Sequence, residues 1–162
     1  MPRASRRAEF EGMTERFYAE GLRFECTRCS RCCRHSPGYV FLSHEDLSRL
    51  AEATGLSPRG FFERYCREVD LYGIGRISLR ERDNYDCILW EEGGCSVYDA
   101  RPVQCRSYPF WSANLSSPES WAALTEECPG AGQGRLHSAE EIDAWLDLAA
   151  KRRLLGRALE IR

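Results

Sequence analysis

Four of the nine cysteines in this 162-residue chain fall within eight residues, in the stretch ECTRCSRCCRHS at positions 25–36. Two residues separate Cys26 from Cys29 and Cys29 from Cys32, and Cys33 follows Cys32 directly. Thiols this close together occur in disulfide frameworks, in zinc sites and in iron–sulfur sites. The stretch therefore restricts the chain to folds that can place several sulfur atoms around one loop.

The rest of the sequence argues against disulfides as the main role of these cysteines. No apolar run approaches the roughly 18 residues of a membrane span, and the basic N-terminal stretch MPRASRRAEFEGM lacks the apolar segment of a signal peptide. We therefore expect a cytoplasmic protein, whose thiols stay reduced. An odd number of cysteines would also leave one thiol unpaired. Metal ligation by thiolates is the favoured role.

Length and charge limit the classes of partner. A chain of 162 residues is long enough for one domain with a core of its own. The net charge of −2 predicts no strong attraction to nucleic acid or to an anionic membrane. We expect metal ions as partners, and the sequence leaves a protein partner unspecified. Phosphate-loop and dinucleotide motifs are absent, and no residue is assigned a catalytic role.

Hydrophobic periodicity, helix caps and glycine turns predict an α+β fold, with helices around a small antiparallel sheet. The predicted helices cover residues 5–21, 43–55, 57–66, 117–128 and 138–160. The predicted strands cover residues 39–42, 77–79, 87–90 and 95–98, with the last two joined in a hairpin by Gly93 and Gly94. Residues 99–111 and 129–134 are predicted to be irregular. The domain is divided into an N-terminal helix at 1–23, a cysteine-cluster region at 24–134 and a C-terminal helix at 135–162 packed on it.

Eight cysteines are candidate metal ligands. Cys66 is set apart because it falls on the apolar face of a predicted helix, where a small buried thiol is common. Side chains of adjacent residues usually diverge, so Cys32 and Cys33 are hard to place on the same metal ion. Two metal centres, or one polynuclear centre, follow from that geometry. The candidate ligands are Cys26, Cys29, Cys32, Cys33, Cys87, Cys95, Cys105 and Cys128.

The spacing favours an iron–sulfur cluster over zinc and leaves both open. A 4Fe–4S cluster takes three ligands from a C-x2-C-x2-C run and a fourth from a remote cysteine followed by proline, which Cys128-Pro129 supplies. Structural zinc favours two separate paired knuckles, and the cysteines after residue 86 are too widely spaced for a second one. The predicted grouping is Cys26, Cys29, Cys32 and Cys128 at one centre and Cys33, Cys87, Cys95 and Cys105 at the other. An exchange of Cys128 with one of the last three stays open.

Other residues have supporting roles in this interpretation. Arg101 and Arg106 either offset the negative charge of a thiolate cluster or bond local carbonyl groups. The aromatic residues at 108–111 are expected to shield the cluster from water. The histidines are expected to face solvent, since eight thiols already suffice; they are His35, His44 and His137.

Three stretches of the sequence, CTRCSRCC, CILWEEGGCSVYDARPVQCRSYPF and ECPGAGQG, resemble the cysteine-cluster family named for its CxxCxxCC motif. This is the zinc- or iron-chelating domain shared by YkgJ-like proteins, and the resemblance covers about residues 24–134. It implies metal ligation by the same eight cysteines, with Cys66 outside the pattern. Flagellin lysine N-methylases are similar in the cysteine motif but are longer, and that similarity implies iron–sulfur and methyl-transfer chemistry.

Two hypotheses of function remain open at this point. One is a redox or methyl-transfer component that holds an iron–sulfur cluster. The other is a non-catalytic module in which zinc stabilises the fold, is stored, or is passed on.

Overall fold

The computed structural model of the protein describes residues 16–161. The fold is α+β, as predicted: within these residues, five α-helices accompany six short strands that pair in three antiparallel two-stranded sheets. The strands are β1 (Leu22–Phe24), β2 (Cys66–Leu71), β3 (Ile74–Leu79), β4 (Trp90–Glu91), β5 (Gly94–Cys95) and β6 (Ala131–His137). The helices are α1 (His44–Thr54), α2 (Pro58–Tyr65), α3 (Val103–Arg106), α4 (Pro118–Glu127) and α5 (Ala139–Lys151).

Local capping signals set where the helices begin. Ser43 and Asp46 form a reciprocal capping box at the start of α1, and Gly55, with φ of 68°, ends that helix. Ser57 and Ser117 each accept a hydrogen bond from an amide three residues on, with proline at the first helical position. Ser138 and its N3 partner form a second capping box, at α5. These four predicted helix starts are confirmed.

The helix predicted to contain Cys66 is one residue shorter, and Cys66 begins β2 instead. β2 and β3 form a hairpin in which Cys66 faces Leu79 and the turn is made by Tyr72 and Gly73, both at positive φ. Pairing with β3 provides hydrogen-bond partners for the backbone of residues 66–71, and Cys66 is fully buried. The expectation of a helix at Cys66 was wrong, and the expectation of a buried thiol was correct.

The structure differs from three further predictions, each of which depends on contacts between distant segments. Residues 39–42 make only isolated bridges, and Leu42 exchanges backbone hydrogen bonds with Ile77 and Leu155. The loop predicted at residues 129–134 is wrong from residue 131 onward, because residues 131–137 form β6 against β1. α5 ends at Lys151 rather than near residue 160, because the chain then extends so that Leu155 can bond to Leu42 and Ile77. In each case the pairing partner is distant in sequence.

The predicted hairpin around residue 93 is present with shorter strands. β4 and β5 have two residues each, and Trp90 lies opposite Cys95. Residues 98–100 form a 3₁₀ helix. The stretch 99–111, which was predicted to be irregular, contains the short helix α3. The helix predicted at residues 5–21 lies largely outside the described residues; of its described part, 16–21, residues 17–20 form a turn before Gly21.

Two apolar clusters make up the core. The first joins α1, α2, β2 and β3 around residues such as Leu50, Phe61 and Ile77. The second joins α4, α5 and β6 around Phe110, Trp121 and Ile142. The division of the domain at residues 23 and 134 stays a prediction, and the β1–β6 pair links the segments on either side of both boundaries. None of the helices within residues 16–161 is long and apolar enough to cross a membrane.

Candidate metal centre

The cysteine-rich loop that follows β1 is turned by residues that carry side chains. Arg28, Ser30 and His35 have φ of 56°, 63° and 69°, in the left-handed region that costs an L-residue about 1–2 kcal/mol. The loop is held just before and within its cysteine run: Glu25 N–H donates to Gly130 O at 3.2 Å, and Arg31 donates to the carbonyl of Glu127, the last residue of α4, at 3.0 Å. Contacts with distant segments therefore maintain a backbone that the local sequence does not favour.

Six of the eight predicted ligands open onto one cavity of about 380 Å³. Its walls come from the cysteine-rich loop, from residues 79–98 and from residues 101–111. The fold thus brings together thiols that are distant in the chain: Cys26 and Cys105 are 79 positions apart. The cysteines that line the cavity are Cys26, Cys32, Cys33, Cys87, Cys95 and Cys105.

The adjacent cysteines Cys32 and Cys33 have different surroundings. Cys33 Sγ lies 3.2 Å from Ser30 O, and Cys33 O accepts the amide of Cys87 at 2.8 Å. A hydrogen bond from the Cys33 thiol lowers the pKa of Cys32 to about 7, while burial opposes that shift. The same hydrogen bond, together with burial and nearby thiols, raises the pKa of Cys33. The Cys32 thiol is therefore the one of the pair that loses its proton more readily.

Three further cavity thiols, Cys87, Cys95 and Cys105, are held mainly in their neutral form. Burial raises the pKa of Cys87 to about 11, and burial is also the main cause of the raised pKa values of Cys95 and Cys105. For Cys105 the charges of Cys87, Cys32 and Cys95 add to the rise. Mutual repulsion of this kind shows that the thiols are near one another. A bound cation would reverse it, because thiolate ligation releases the protons.

Cys29 and Cys128 do not line the cavity. Cys128 is buried at the end of α4, where its amide donates to Leu124 O at 2.8 Å. Burial raises the pKa of Tyr108, and the Cys128 charge, a hydrogen bond to Cys128, and the more distant Cys32 and Cys29 raise it further. Cys128 therefore lies against Tyr108, which is itself part of the cavity wall. The predicted grouping into two sets of four stays a prediction, since the cavity holds members of both sets.

Five arginines line the same cavity, and only one was predicted. Arg101 donates to Tyr98 O at 2.7 Å with its guanidinium 3.6 Å from the Tyr98 ring, and its charge opposes the burial-driven rise in the pKa of Cys105. Arg106 points away, with its guanidinium 6.0 Å from the Trp145 ring, so it is not part of this wall. The cavity arginines are Arg28, Arg31, Arg34, Arg80 and Arg101.

Sequence reasoning missed the charged residues that adjoin the ligands. Arg34 follows Cys33, and Asp86 precedes Cys87; the two side chains form an ion pair with Nε and Oδ2 3.1 Å apart. Asp86 is only 1% exposed. A charged residue directly beside a candidate ligand in two separate segments was the available signal.

The predicted aromatic cover is only partly at the cavity. Tyr108 and Trp111 line it, whereas Phe110 stacks on Trp121 in the second apolar cluster. Among the histidines, His35 and His44 are exposed as expected. His137 was expected to be exposed and is half-buried in β6, with Nε2 3.1 Å from Phe24 O.

All nine cysteines are free thiols. Within the described part of the chain, no group of three or more Cys, His, Asp or Glu side chains stands at a geometry that could hold a metal ion. It is the shared cavity, rather than a formed coordination sphere, that groups these thiols. Their chemistry suits zinc and iron alike, since thiolates are ligands of both.

No solved structure matches the chain. The sequence does match the model of one protein family over residues 25–129, a range that begins at the cysteine-rich loop and ends just after Cys128. That family is CxxCxxCC, described as "Putative zinc- or iron-chelating domain". The match covers well over half of the chain and all eight predicted ligands, with Cys66 the remaining cysteine inside it. The protein belongs to the CxxCxxCC family of zinc- or iron-chelating domains.

Proposed function

We propose that the protein binds an iron–sulfur cluster of the 4Fe–4S type at these cysteines and serves as a redox component. The family match supports metal binding and names both zinc and iron, so the choice of iron–sulfur is the further step. The observation that carries it is the single cavity of about 380 Å³ onto which six thiols open. That volume lies within the range of roughly 300–1,000 Å³ typical of ligand pockets, whereas a zinc ion needs only four thiolates closed around it at about 2.3 Å.

Charge in the cavity wall also supports a large thiolate centre. Among the described residues, Arg34 is the one cavity arginine with a carboxylate partner. Arg31, Arg80 and Arg101 donate to backbone carbonyls, and Arg28 lies 4.2 Å from the Tyr98 ring. Within residues 16–161, no carboxylate forms an ion pair with these four guanidinium groups. They are available to offset the negative charge of a thiolate-bound cluster and to donate hydrogen bonds to its sulfurs, which tunes the potential.

The placement of the thiols allows an exchange partner to approach. Cys26, Cys29 and Cys32 are exposed, whereas Cys33, Cys87, Cys95 and Cys105 are half-buried. One side of the site therefore faces the surface, while the other side is enclosed by protein. When bound, an iron–sulfur cluster supplies one-electron redox chemistry. We place the protein in a reducing cytoplasm, where free thiols persist.

The test is purification without oxygen, followed by iron, sulfide and zinc analysis. The expected product is brown, contains iron and sulfide, and loses its colour when dithionite is added. Cys105→Ser should abolish the colour, and the matched control Cys66→Ala should retain it. A colourless protein with stoichiometric zinc would contradict the iron–sulfur assignment.

One observation favours the zinc alternative, a non-catalytic metal-binding module. Cys29 and Cys128 do not line the cavity, so the eight thiols do not all face one space. Two separate ions, each with four ligands, suit a divided set better than one cluster does. Zinc in the purified protein without sulfide would establish this alternative.

A further inference from the structure

We propose that Arg34, Asp86 and Trp90 form a clamp that positions the neighbouring thiols for metal binding. The clamp joins two segments that are far apart in sequence and that both carry ligands. Each of its members is next to a candidate ligand, along the chain or across a strand pair. The proposal rests on the metal centre proposed above and applies to iron and zinc alike.

The centre of the clamp is a buried ion pair. Asp86 Oδ2 lies 3.1 Å from Arg34 Nε and accepts a hydrogen bond from Asn84 Nδ2 at 3.1 Å. The Asp86 side chain is 1% exposed and that of Arg34 is 26% exposed. A carboxylate buried to this extent depends on its cation partner, so the ion pair couples the two segments that carry it.

The third member ties the clamp to the hairpin. The Arg34 guanidinium lies 3.6 Å from the centre of the Trp90 ring, a close cation–π contact. Trp90 is in β4, where its partner across the strand pair is Cys95. Arg34 therefore contacts both the carboxylate and the ring of the second segment, and its flat guanidinium suits both contacts.

The backbone brings the same segments together at the ligands themselves. The amide of Cys87 donates to Cys33 O at 2.8 Å, one residue away from the ion pair on each strand of chain. Arg34 and Trp90 also line the cavity onto which these thiols open. Residues that orient metal ligands in this way typically change metal affinity 10–100-fold when they are replaced.

The experiment measures Zn²⁺ affinity of the full chain by competition with a chromophoric chelator, for Arg34→Gln and Asp86→Asn. The clamp predicts that both variants bind Zn²⁺ 10–100-fold more weakly. If the two residues acted only through their charges, the two variants would change the Zn²⁺ affinity in opposite directions. Loss of the arginine would then strengthen cation binding, and loss of the carboxylate would weaken it. The double variant should lose no more Zn²⁺ affinity than the single variant that binds Zn²⁺ more weakly, since the pair acts as a unit. Tighter binding by Arg34→Gln would overturn the clamp.

A second readout is alkylation of each thiol in the Zn²⁺-loaded protein, followed by mass spectrometry. In Asp86→Asn the thiols of Cys33 and Cys87 should react at least 10-fold faster than in the original protein. Cys66, fully buried in the first apolar cluster, reports global unfolding and should stay unreactive. Trp90→Leu is a second test variant, for use if Asp86→Asn fails to fold. It keeps apolar bulk, and the thiols of Cys33 and Cys87 should again react faster. Leu50→Ala, which destabilises the core alone, should leave Cys33 and Cys87 protected.

The outcomes separate this inference from the proposed function. If Zn²⁺ protects no thiol in the original protein, the metal centre itself is wrong. If protection is normal there and equally strong in Asp86→Asn and Trp90→Leu, the centre stands and the clamp is wrong. Reactive Cys66 in both variants would also overturn the clamp, because the loss would then be general.

Discussion

At the scale of single residues, the adjacent cysteines show how neighbours in sequence acquire different chemistry. Cys33 donates to a hydrogen bond that lowers the pKa of Cys32 to about 7, and the pKa of Cys33 itself is raised. The backbone around them adopts left-handed conformations at Arg28 and Ser30 without glycine. Spacing indicated that these two thiols diverge. Which of them more readily loses its proton depends chiefly on the hydrogen bond between them.

The ninth cysteine gives a prediction at the same scale. Cys66→Ala should leave the metal content unchanged, because Cys66 is fully buried between α2 and β3 and its pKa is raised by burial to about 12. The lost sulfur leaves a small cavity, which should reduce the free energy of unfolding by about 1 kcal/mol. Metal analysis and denaturant unfolding measure the two effects. Loss of a metal equivalent would show that the ninth thiol is a ligand.

The histidines give a complementary prediction. His35→Ala and His44→Ala should retain the full metal content, because both side chains are exposed and neither lines the cysteine cavity. Metal analysis of the two variants, with Cys33→Ser as the positive control, provides the comparison. Anomalous scattering that located either imidazole on the metal would contradict the all-thiolate assignment.

At the scale of secondary-structure elements, helix starts could be predicted and strand pairs largely could not. A capping box depends on residues three apart, such as Ser43 and Asp46, and can be recognised without tertiary information. The pairing of β1 with β6 joins residues more than 100 positions apart, and no local pattern specifies it. Cys66 was assigned to a helix because its local pattern continued the apolar face of α2.

The two serine N-caps of α1 and α2 support a prediction at this scale. Ser43→Ala should reduce the free energy of unfolding by about 2 kcal/mol, the upper end of the range for N-caps. Ser43 is 2% exposed, and its hydroxyl also donates to the buried carboxylate of Asp46, which would lose a partner. Ser57→Ala is the matched control, and it should cost about 1 kcal/mol or less because Ser57 is exposed. Denaturant titration of both variants makes the comparison, and equal losses would argue against the role of Asp46.

At the scale of the whole molecule, the cysteine cavity lies where the two apolar clusters meet. Leu79, Leu89 and Val97 line it and belong to the first cluster. Tyr108 lines it and packs against the second cluster. A metal bound by thiols from both sides would therefore join the two halves of the core. Its binding free energy would appear as folding stability.

Metal removal should accordingly lower the melting temperature sharply. Chelation leaves thiols that repel one another once ionised, and Cys29→Ser should act in the same direction. A loss of about 3 kcal/mol corresponds to roughly 6–12 °C for a chain of this size. Thermal unfolding with and without chelator measures the effect, and hydrogen exchange should show faster exchange at the amides of Glu25 and Cys87. An unchanged melting curve after complete metal removal would refute metal-dependent folding.

The sequence by itself determined the α+β class, the helix starts and the candidate ligand set. These depend on spacing along the chain: residues three apart form a helix cap, and cysteines separated by two residues form the loop motif. The family match over residues 25–129 agrees with that motif. Backbone geometry and side-chain chemistry at short range are enough to establish such features.

Only the tertiary structure decided which thiols share a space and what holds them there. It separated Cys29 and Cys128 from the six cavity thiols, removed Arg106 from the cavity wall, and paired Arg34 with Asp86. It also ended α5 at Lys151 so that Leu155 could bond to Leu42. Each of these arrangements joins residues that are distant in the chain. Their free energies depend on burial and on partners that appear only when the chain has folded.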